Sequence, residues 1–586
     1  MIDCDIYLPL PIKKTVLKRA LRGAMLKYSP EEYSVFVYIS LIFGVIAGYI
    51  INMFNINALS NIKNIIPVFL GAVFYSFALI YPFALSRSRR VNIDIKLPHA
   101  VTYMRSLCNT MTLYNVFRQI YLEKDLYGEV SEEFGFVVRD VELFGMSFLE
   151  AIQDLAASTP SELLREFLYG LVIVSESGGD IRGYMDAKVE SFRDKARKQL
   201  EINMKTLEIL AEVFAVLFVA LPVFLIILVA TAHFLGRGVG KVFYSYLYFF
   251  MPVGGLMLIY VVDLINIKED LSVTRVRRIE PLHFGEFAGG QAGVTDQASV
   301  TDEERPGVKE ILLKPFRLSK ENYYYSLVFS PLLLLVWVVL VRYVKFKFVE
   351  SKVAALIVLL LLPLAVAFEY RSAFVRRVEK ETPDLLRQIL NLRDVGLTLH
   401  GVISMLKESK LGVLSREIRL TSINLEWGAT VNEALIELIN RVGVSSIRRA
   451  ITLLLRASEV TENIRDVLIT AIEDFEYELK LKDIRFATGF AYLVIIYLAF
   501  FILLYVCYTM IHSFLARLPN YTPSMGLLSM MYQIAFVLSI FSGTLAGQME
   551  KGHALHGLKH IFVFLIASAV MFEVVIPGIS VYGLIR

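Results

Sequence analysis

Hydrophobic and polar positions are segregated along this chain on a coarse scale. Stretches without Asp, Glu, Lys or Arg run over 33–62, 64–86, 213–236, 242–262, 322–341, 353–368, 486–516 and 518–549, and a ninth apolar run, 561–585, is broken only by Glu573. A helix that crosses a bilayer needs about 20 predominantly apolar residues. A charge at its centre costs about 2.5–3.5 kcal/mol on insertion scales. In a chain with 60 Lys and Arg and 56 Asp and Glu, such gaps predict about nine transmembrane helices. Helices 1 and 2 fall within 33–86, 3 and 4 within 209–267, 5 and 6 within 322–370, and 7 to 9 within 488–586.

Before the first gap, residues 1–32 are basic. Leu17, Leu21 and Ala24 recur at helical spacing among Lys13, Lys14, Lys18, Arg19 and Arg22. This pattern suits a basic amphipathic helix on an anionic leaflet and equally a plain topology anchor; both place the N-terminus in the cytoplasm. The first apolar run starts only at Tyr33 and no small-residue cleavage pattern follows, so no secretory signal is expected. Arginines and lysines bunch after the second, fourth and sixth gaps, which orients those loops inside. The exception is 342–352, where Arg342, Lys345, Lys347 and Lys352 occupy a loop assigned outside.

Two polar segments remain, 87–208 and 371–487, both expected on the cytoplasmic side. They repeat one another. Residues 145–192 align with 428–475 without a gap at an offset of 283, with 12 identities in 48 positions. Upstream, Leu97-Pro98 matches Thr382-Pro383 at an offset of 285. Each copy carries a capping-box pattern, Ser147-x-x-Glu150 and Thr430-x-x-Glu433. Thr159-Pro160-Ser161-Glu162 adds a start signal with Pro as the first helical residue. The following stripe of Leu163, Leu164, Phe167, Leu168, Leu171 and Val172 has helical period. No strand alternation is evident, so each segment predicts an all-helical bundle of about five or six helices. Between the halves, 268–321 reads as a flexible cytoplasmic linker, Gly-, Thr- and Asp-rich over 285–307. The fold class is therefore all-α: a polytopic membrane protein with two homologous cytoplasmic helical bundles.

Composition sharpens this. Apolar residues make up 56% of the chain and charged residues 20%, against about a quarter charged in soluble domains. A net charge of +4 is too small to steer the chain onto nucleic acid. Cys4, Cys108 and Cys507 are odd in number and far apart, which excludes a disulfide framework or a C-x-x-C site. His553, His556 and His560 share a helical face, but only Glu550 lies near as a further ligand, so a metal is not expected. Gly236–Lys241 lacks the first Gly and the Ser or Thr of a phosphate loop. No cofactor is implied and no enzyme motif is present. Glu573, inside an apolar run, is an intramembrane acid whose cost must be offset. It supports a secondary transporter as an alternative, although a coupled transporter normally carries several such groups. Another membrane translocation scaffold is a third reading.

The most unusual local sequence is Val174-Ser-Glu176-Ser-Gly178-Gly179-Asp-Ile-Arg182, paired with Ala457-Ser-Glu459-Val-Thr-Glu-Asn-Ile-Arg465. It reads as a helix–turn–helix joint with a left-handed Gly, and also as a docking turn in which Glu176, Gly178, Gly179, Arg182, Glu459 and Arg465 meet a partner. The Pro-led helix, G-x-S/T-x-x-E-A and S-E-x-G-G-x-I together resemble the type II secretion F domain, over about 95–205 and 380–487. In the second copy Thr461 and Glu462 replace the Gly-rich turn. Two such domains in one chain are similar to the archaeal platform proteins of the archaellum and of type IV-like adhesive pili. The resemblance implies a non-enzymatic scaffold in the cytoplasmic membrane. It would couple a hexameric secretion ATPase to the assembly of pilin- or archaellin-like subunits, with homodimerisation a further expectation. Residues 87–208 and 371–487 are near neutral overall, so local contacts rather than bulk charge would carry docking.

Overall fold

The structure, a computed structural model, describes residues 12–26, 28–53, 65–108, 111–234, 247, 250–266, 323–344, 346–460, 464–514 and 525–576. Among them every regular element is helical and there is no strand. The linker 268–321 and the 236–241 motif lie outside the described residues. The chain divides into two compact units, Met1–Lys195 and Ala196–Arg586.

The first unit opens with α1 (Lys14–Gly23), α2 (Pro30–Met53) and α3 (Ile65–Leu107). The apolar stripe of α1 packs inward: Leu17 and Leu21 are buried with Tyr33 and Val37 of α2 and Ala78 of α3. Lys13, Lys14, Lys18 and Arg22 stay exposed. α3 runs 43 residues, from the apolar stretch through Arg89 and into the polar domain. Pro98 lies inside it, and its repeat partner Pro383 lies inside another long helix. The repeated proline is thus interior to a helix and does not begin one.

The first polar domain continues with α4 (Leu113–Leu122), α5 (Lys124–Tyr127), α6 (Glu129–Phe144), α7 (Phe148–Ser158), α8 (Glu162–Glu176) and the start of α9 (Ile181–Ala215). The predicted stripe on α8 is its buried face, with Leu164, Phe167, Leu168, Leu171 and Val172 inside. The N-cap of α8 is Ser161, whose Oγ accepts from Leu164 N at 3.0 Å. Pro160 therefore sits before the cap, not at the first helical position. Beside the spanning end, buried Arg89 donates to Glu129 (2.7 Å), Glu133 (2.9 Å) and the Gly23 carbonyl (2.9 Å). Burial pushes the Glu133 carboxyl up and Arg89 pulls it back; breaking such a pair is costly because the remaining charge stays buried.

The second unit takes α9 from Ala196 on, a π turn (Val216–Ala220), α10 (Leu221–Phe234), α11 (Met251–Ile265), α12 (Ser330–Tyr343) and α13 (Val349–Asp394). The second polar domain follows: the distal half of α13, then α14 (Leu399–Leu406), α15 (Leu414–Glu426), α16 (Val431–Val442), α17 (Ser445–Val460) and the start of α18 (Ile464–Thr509). α19 (Met525–Lys551) and α20 (Gly557–Val570) close the unit. Helix order matches the first domain, with α5 as its one extra turn. Both predicted capping boxes are present, on α7 and α16.

Among the described residues, six helices are long and apolar enough to cross a membrane: Ile181–Leu228, Tyr323–Tyr343, Val349–Asp394, Arg465–His512, Leu527–Lys551 and Ala554–Val575. The other expected spans, 33–62, 64–86 and 242–262, fall on α2, α3 and the shorter apolar α11. Part of each lies outside the described residues, so the structure does not yield the count of nine.

Shape, not apolarity, joins α19 to α20, because lipid is as apolar as a leucine side chain. Gly543-Thr-Leu-Ala-Gly547 is a small-xxx-small motif, and a Cβ at Gly547 would overlap the Gly557 backbone, while one at Gly543 would meet Ile561 N at 2.5 Å. We expect Gly547→Ala to destabilise the chain by about 1–3 kcal/mol, the usual cost of overpacking. The readout is thermal unfolding in detergent; an unchanged melting temperature would contradict the packing described.

Candidate docking surface

Helix direction decides where the signature turns stand. In the first domain, Arg89–Glu133 and the hydrogen bond from Ser161 to Asp94 mark the end nearest the apolar part of α3. From Glu133, α6 runs 11 residues to Phe144, about 17 Å at 1.5 Å per residue. α7 returns to Ser161 and α8 runs out again. Residues 145–147 and 177–180 therefore share the membrane-distal end. In the second domain the near end is marked by Arg371, whose Nη2 donates to the Gly443 carbonyl at 2.6 Å. α15 and α17 run away from it, and α16 starts at the far end. Gly428 and the C-terminal end of α17 are accordingly distal.

The signature turn of the first copy is built as a helix C-terminus. Ser177 N donates to Ile173 O at 3.0 Å and Gly179 N to Val174 O at 2.9 Å. Gly178 has φ 65°, the left-handed conformation that a side chain disfavours, yet nothing lies within 4 Å of where its Cβ would point. The glycine is needed for the backbone, and the space above it is open. Glu176, Gly178, Gly179 and Arg182 are all exposed. Glu176 accepts from Gln153 Nε2 at 3.3 Å, which ties α8 to α7. In the second copy, 461–463 and the Glu459 side chain lie outside the described residues. Arg465 pairs with Asp394 at 3.1 Å, joining the two ends of the domain's long helices.

The histidine run takes separate partners. His553 Nδ1 accepts from Leu555 N at 3.1 Å, His556 faces Glu369 at 3.0 Å, and His560 lies between Glu550 (2.9 Å) and the Tyr497 hydroxyl (2.8 Å). Lys551 and Lys559 complete the group, on Glu369 and Glu550 at 2.8 Å each. This collar ties α13, α18, α19 and α20 together where the second domain meets the bundle. Sequence reading registered the histidines but missed Glu369, the acid that ends the 353–368 gap and anchors half the collar.

Glu573 occupies a π turn, Met571–Val575, after α20. Its two oxygens accept from Lys347 N (2.9 Å) and Phe348 N (3.0 Å), immediately before α13. Nearby, Glu350 accepts from Ser529 and Gln533, both at 2.9 Å. The basic loop 342–352 is thus held by carboxylates at the end of the bundle opposite the second domain, and Glu573 serves two orphan amides of a helix start.

Comparison with known proteins bears on the polar domains. The family profile for type II secretion system (T2SS), protein F, matches residues 104–229 and 385–511. The chain carries two tandem protein F domains. Members of that family are non-enzymatic membrane platforms of the type II secretion and type IV pilus kind, and the apolar helices of this chain fit a multi-pass membrane protein. An uncharacterized protein of Methanocaldococcus jannaschii is 23% identical over 519 residues, 85% of this chain and 82% of that one. No solved structure matches the chain.

Because Glu573 answers two amides, one with each oxygen, Glu573→Gln presents an NH2 where one of them needs an acceptor. The expected loss is about 0.5–1.5 kcal/mol, the net worth of one hydrogen bond at a partly exposed site, read as a lower melting temperature in detergent. A variant as stable as the parent would remove the capping role.

Proposed function

We propose that this chain is the membrane platform of a filament-assembly machine. It couples a cytoplasmic hexameric secretion ATPase to the extraction and insertion of pilin- or archaellin-like subunits. The observation that carries this reading is the continuity of the helices. α3 and α9 enter and leave the first F domain, and α13 and α18 the second, without a break between spanning and polar parts. A push on a distal turn therefore reaches the spanning bundle through rigid rods, with the collar around Glu369 clamping two of them. In this reading the platform sits in the cytoplasmic membrane with its N-terminus and both F domains inside, and it works as a homodimer. Occupation of both Glu573 oxygens by backbone amides favours a structural carboxylate over the ion-coupling acid of a transporter.

Pull-down from detergent extracts is expected to recover a secretion ATPase, and gene deletion to abolish surface filaments. Intact filaments together with lost ion-coupled uptake would sink the platform. Glu176→Lys is expected to weaken ATPase binding without lowering the melting temperature, since the side chain is exposed; unchanged binding would remove the distal turn from the interface.

A further inference from the structure

The loop that breaks the charge pattern of the sequence is a built feature of the second unit. Lys and Arg otherwise bunch beside the polar domains, yet Arg342, Lys347 and Lys352 stand at the opposite end of the bundle, around the start of α13. The backbone there is held from two sides. Glu573 takes the amides of Lys347 and Phe348, and Trp337 Nε1, on α12, donates to the Lys352 carbonyl at 2.9 Å. Glu350, in the first turn of α13, accepts from Ser529 and Gln533. Among the described residues no ion pair includes Arg342, Lys347 or Lys352, and from Tyr323 to Phe348 the chain has no acid at all. Both carboxylates near the loop are thus engaged in fixing it, and its cations are left for something outside the bundle.

Depth identifies what lies there. Leu332, Leu335, Val338 and Val339 of α12 are all more than half exposed, so this helix faces hydrocarbon. With the 3-10 turn before it, it runs 21 residues, Tyr323–Tyr343. At rises of about 2.0 and 1.5 Å per residue that is about 35 Å, enough to cross a core of about 30 Å. Tyr323 packs against Phe368, which also contacts His553 and His556 of the collar. Arg342 and Tyr343 therefore reach the headgroup layer of the other leaflet. The side chains suit that layer. Tyr343 is 81% exposed and Val349 68%, apolar groups that dip into the acyl boundary beside cations that reach phosphate. An acidic protein segment would meet the cations but has no use for apolar groups at lipid depth.

We infer that Arg342 and Lys347, with half-buried Lys352 behind them, form a site for the phosphate of a net-anionic phospholipid in the leaflet opposite the second F domain. A zwitterionic headgroup carries its own cation beside the phosphate and leaves these charges unanswered; a net-anionic one answers them. The pinned backbone presets the cations, so less freedom is lost on binding than with a loose polybasic tail. The site goes beyond the platform reading and does not depend on it.

The test uses the full chain carrying Trp427→Phe. The sequence has two tryptophans, and Trp427 is exposed on the polar domain, so its replacement leaves Trp337 as the reporter. The chain is reconstituted in phosphatidylcholine vesicles in which a small fraction of lipid is replaced by dibrominated phosphatidylglycerol or dibrominated phosphatidylcholine, bromine being a contact quencher of tryptophan. Trp337 lies about 7.5 Å before Arg342 along the helix, within reach of the brominated acyl segment. Brominated phosphatidylglycerol is expected to quench at about a fivefold lower mole fraction than brominated phosphatidylcholine. Arg342→Gln combined with Lys347→Gln should remove the preference and Arg342→Lys should keep most of it. Both variants should melt with the parent, because the two side chains are exposed. Equal quenching by the two lipids, or a preference unchanged in the double variant, would overturn the inference. Inorganic phosphate at constant ionic strength should leave the preference intact; its loss would assign the cations to a free anion instead. Shielding of Trp337 by an added acidic peptide, with no lipid preference, would assign them to a protein and equally remove the lipid site.

Discussion

A backbone that enters hydrocarbon must satisfy its own hydrogen bonds, and that constraint governs this molecule. It forces the spanning segments to be helical. A helix once formed propagates readily, so the same helices continue past the lipid boundary into the polar domains. α13 and α18 run 46 residues each, about 69 Å at the standard rise. The F domains are consequently mounted on extensions of the spanning helices instead of hanging from loops. Pro98 and Pro383 fit this picture, because each is accommodated within a long rod.

Polar side chains appear where rods must be fixed to one another. At the domain end of the second unit, carboxylates, lysines and histidines bridge four helices around Glu369 and Glu550. At the opposite end, Glu573 and Glu350 hold the loop that starts α13. Between these two ends, contact is made by shape. Gly543 and Gly547 let α19 and α20 approach until backbone touches backbone, and Phe500, Phe564, Tyr532 and Phe572 fill the interior. Ion pairs are placed at the ends of the bundle and close packing along its length, as expected where burying a charge is expensive and apolar attraction between helices is weak.

Much of the candidate surface was legible in the sequence because its signals are local. A capping box involves residues three apart, and a left-handed glycine is marked by its own identity. The signature turn, both caps and the α8 stripe follow from such short-range rules. Other features depend on residues far apart in the chain. Glu573 looked like an isolated intramembrane acid because its partners, the amides of 347 and 348, lie more than 220 residues away. Glu369 looked like the end of an apolar run because Lys551 and His556 reach it only after the chain has crossed the bundle.

The sequence by itself determined the class of the molecule: helical, membrane-embedded, duplicated, and built on two F domains. Each of these rests on period, composition or self-similarity, which are properties of order along the chain. Tertiary structure decided which end of each domain faces away from the membrane, what each buried charge answers to, and that the apolar stripe of α1 covers protein. Those outcomes depend on helix direction and on contacts between distant segments, and no local rule encodes either.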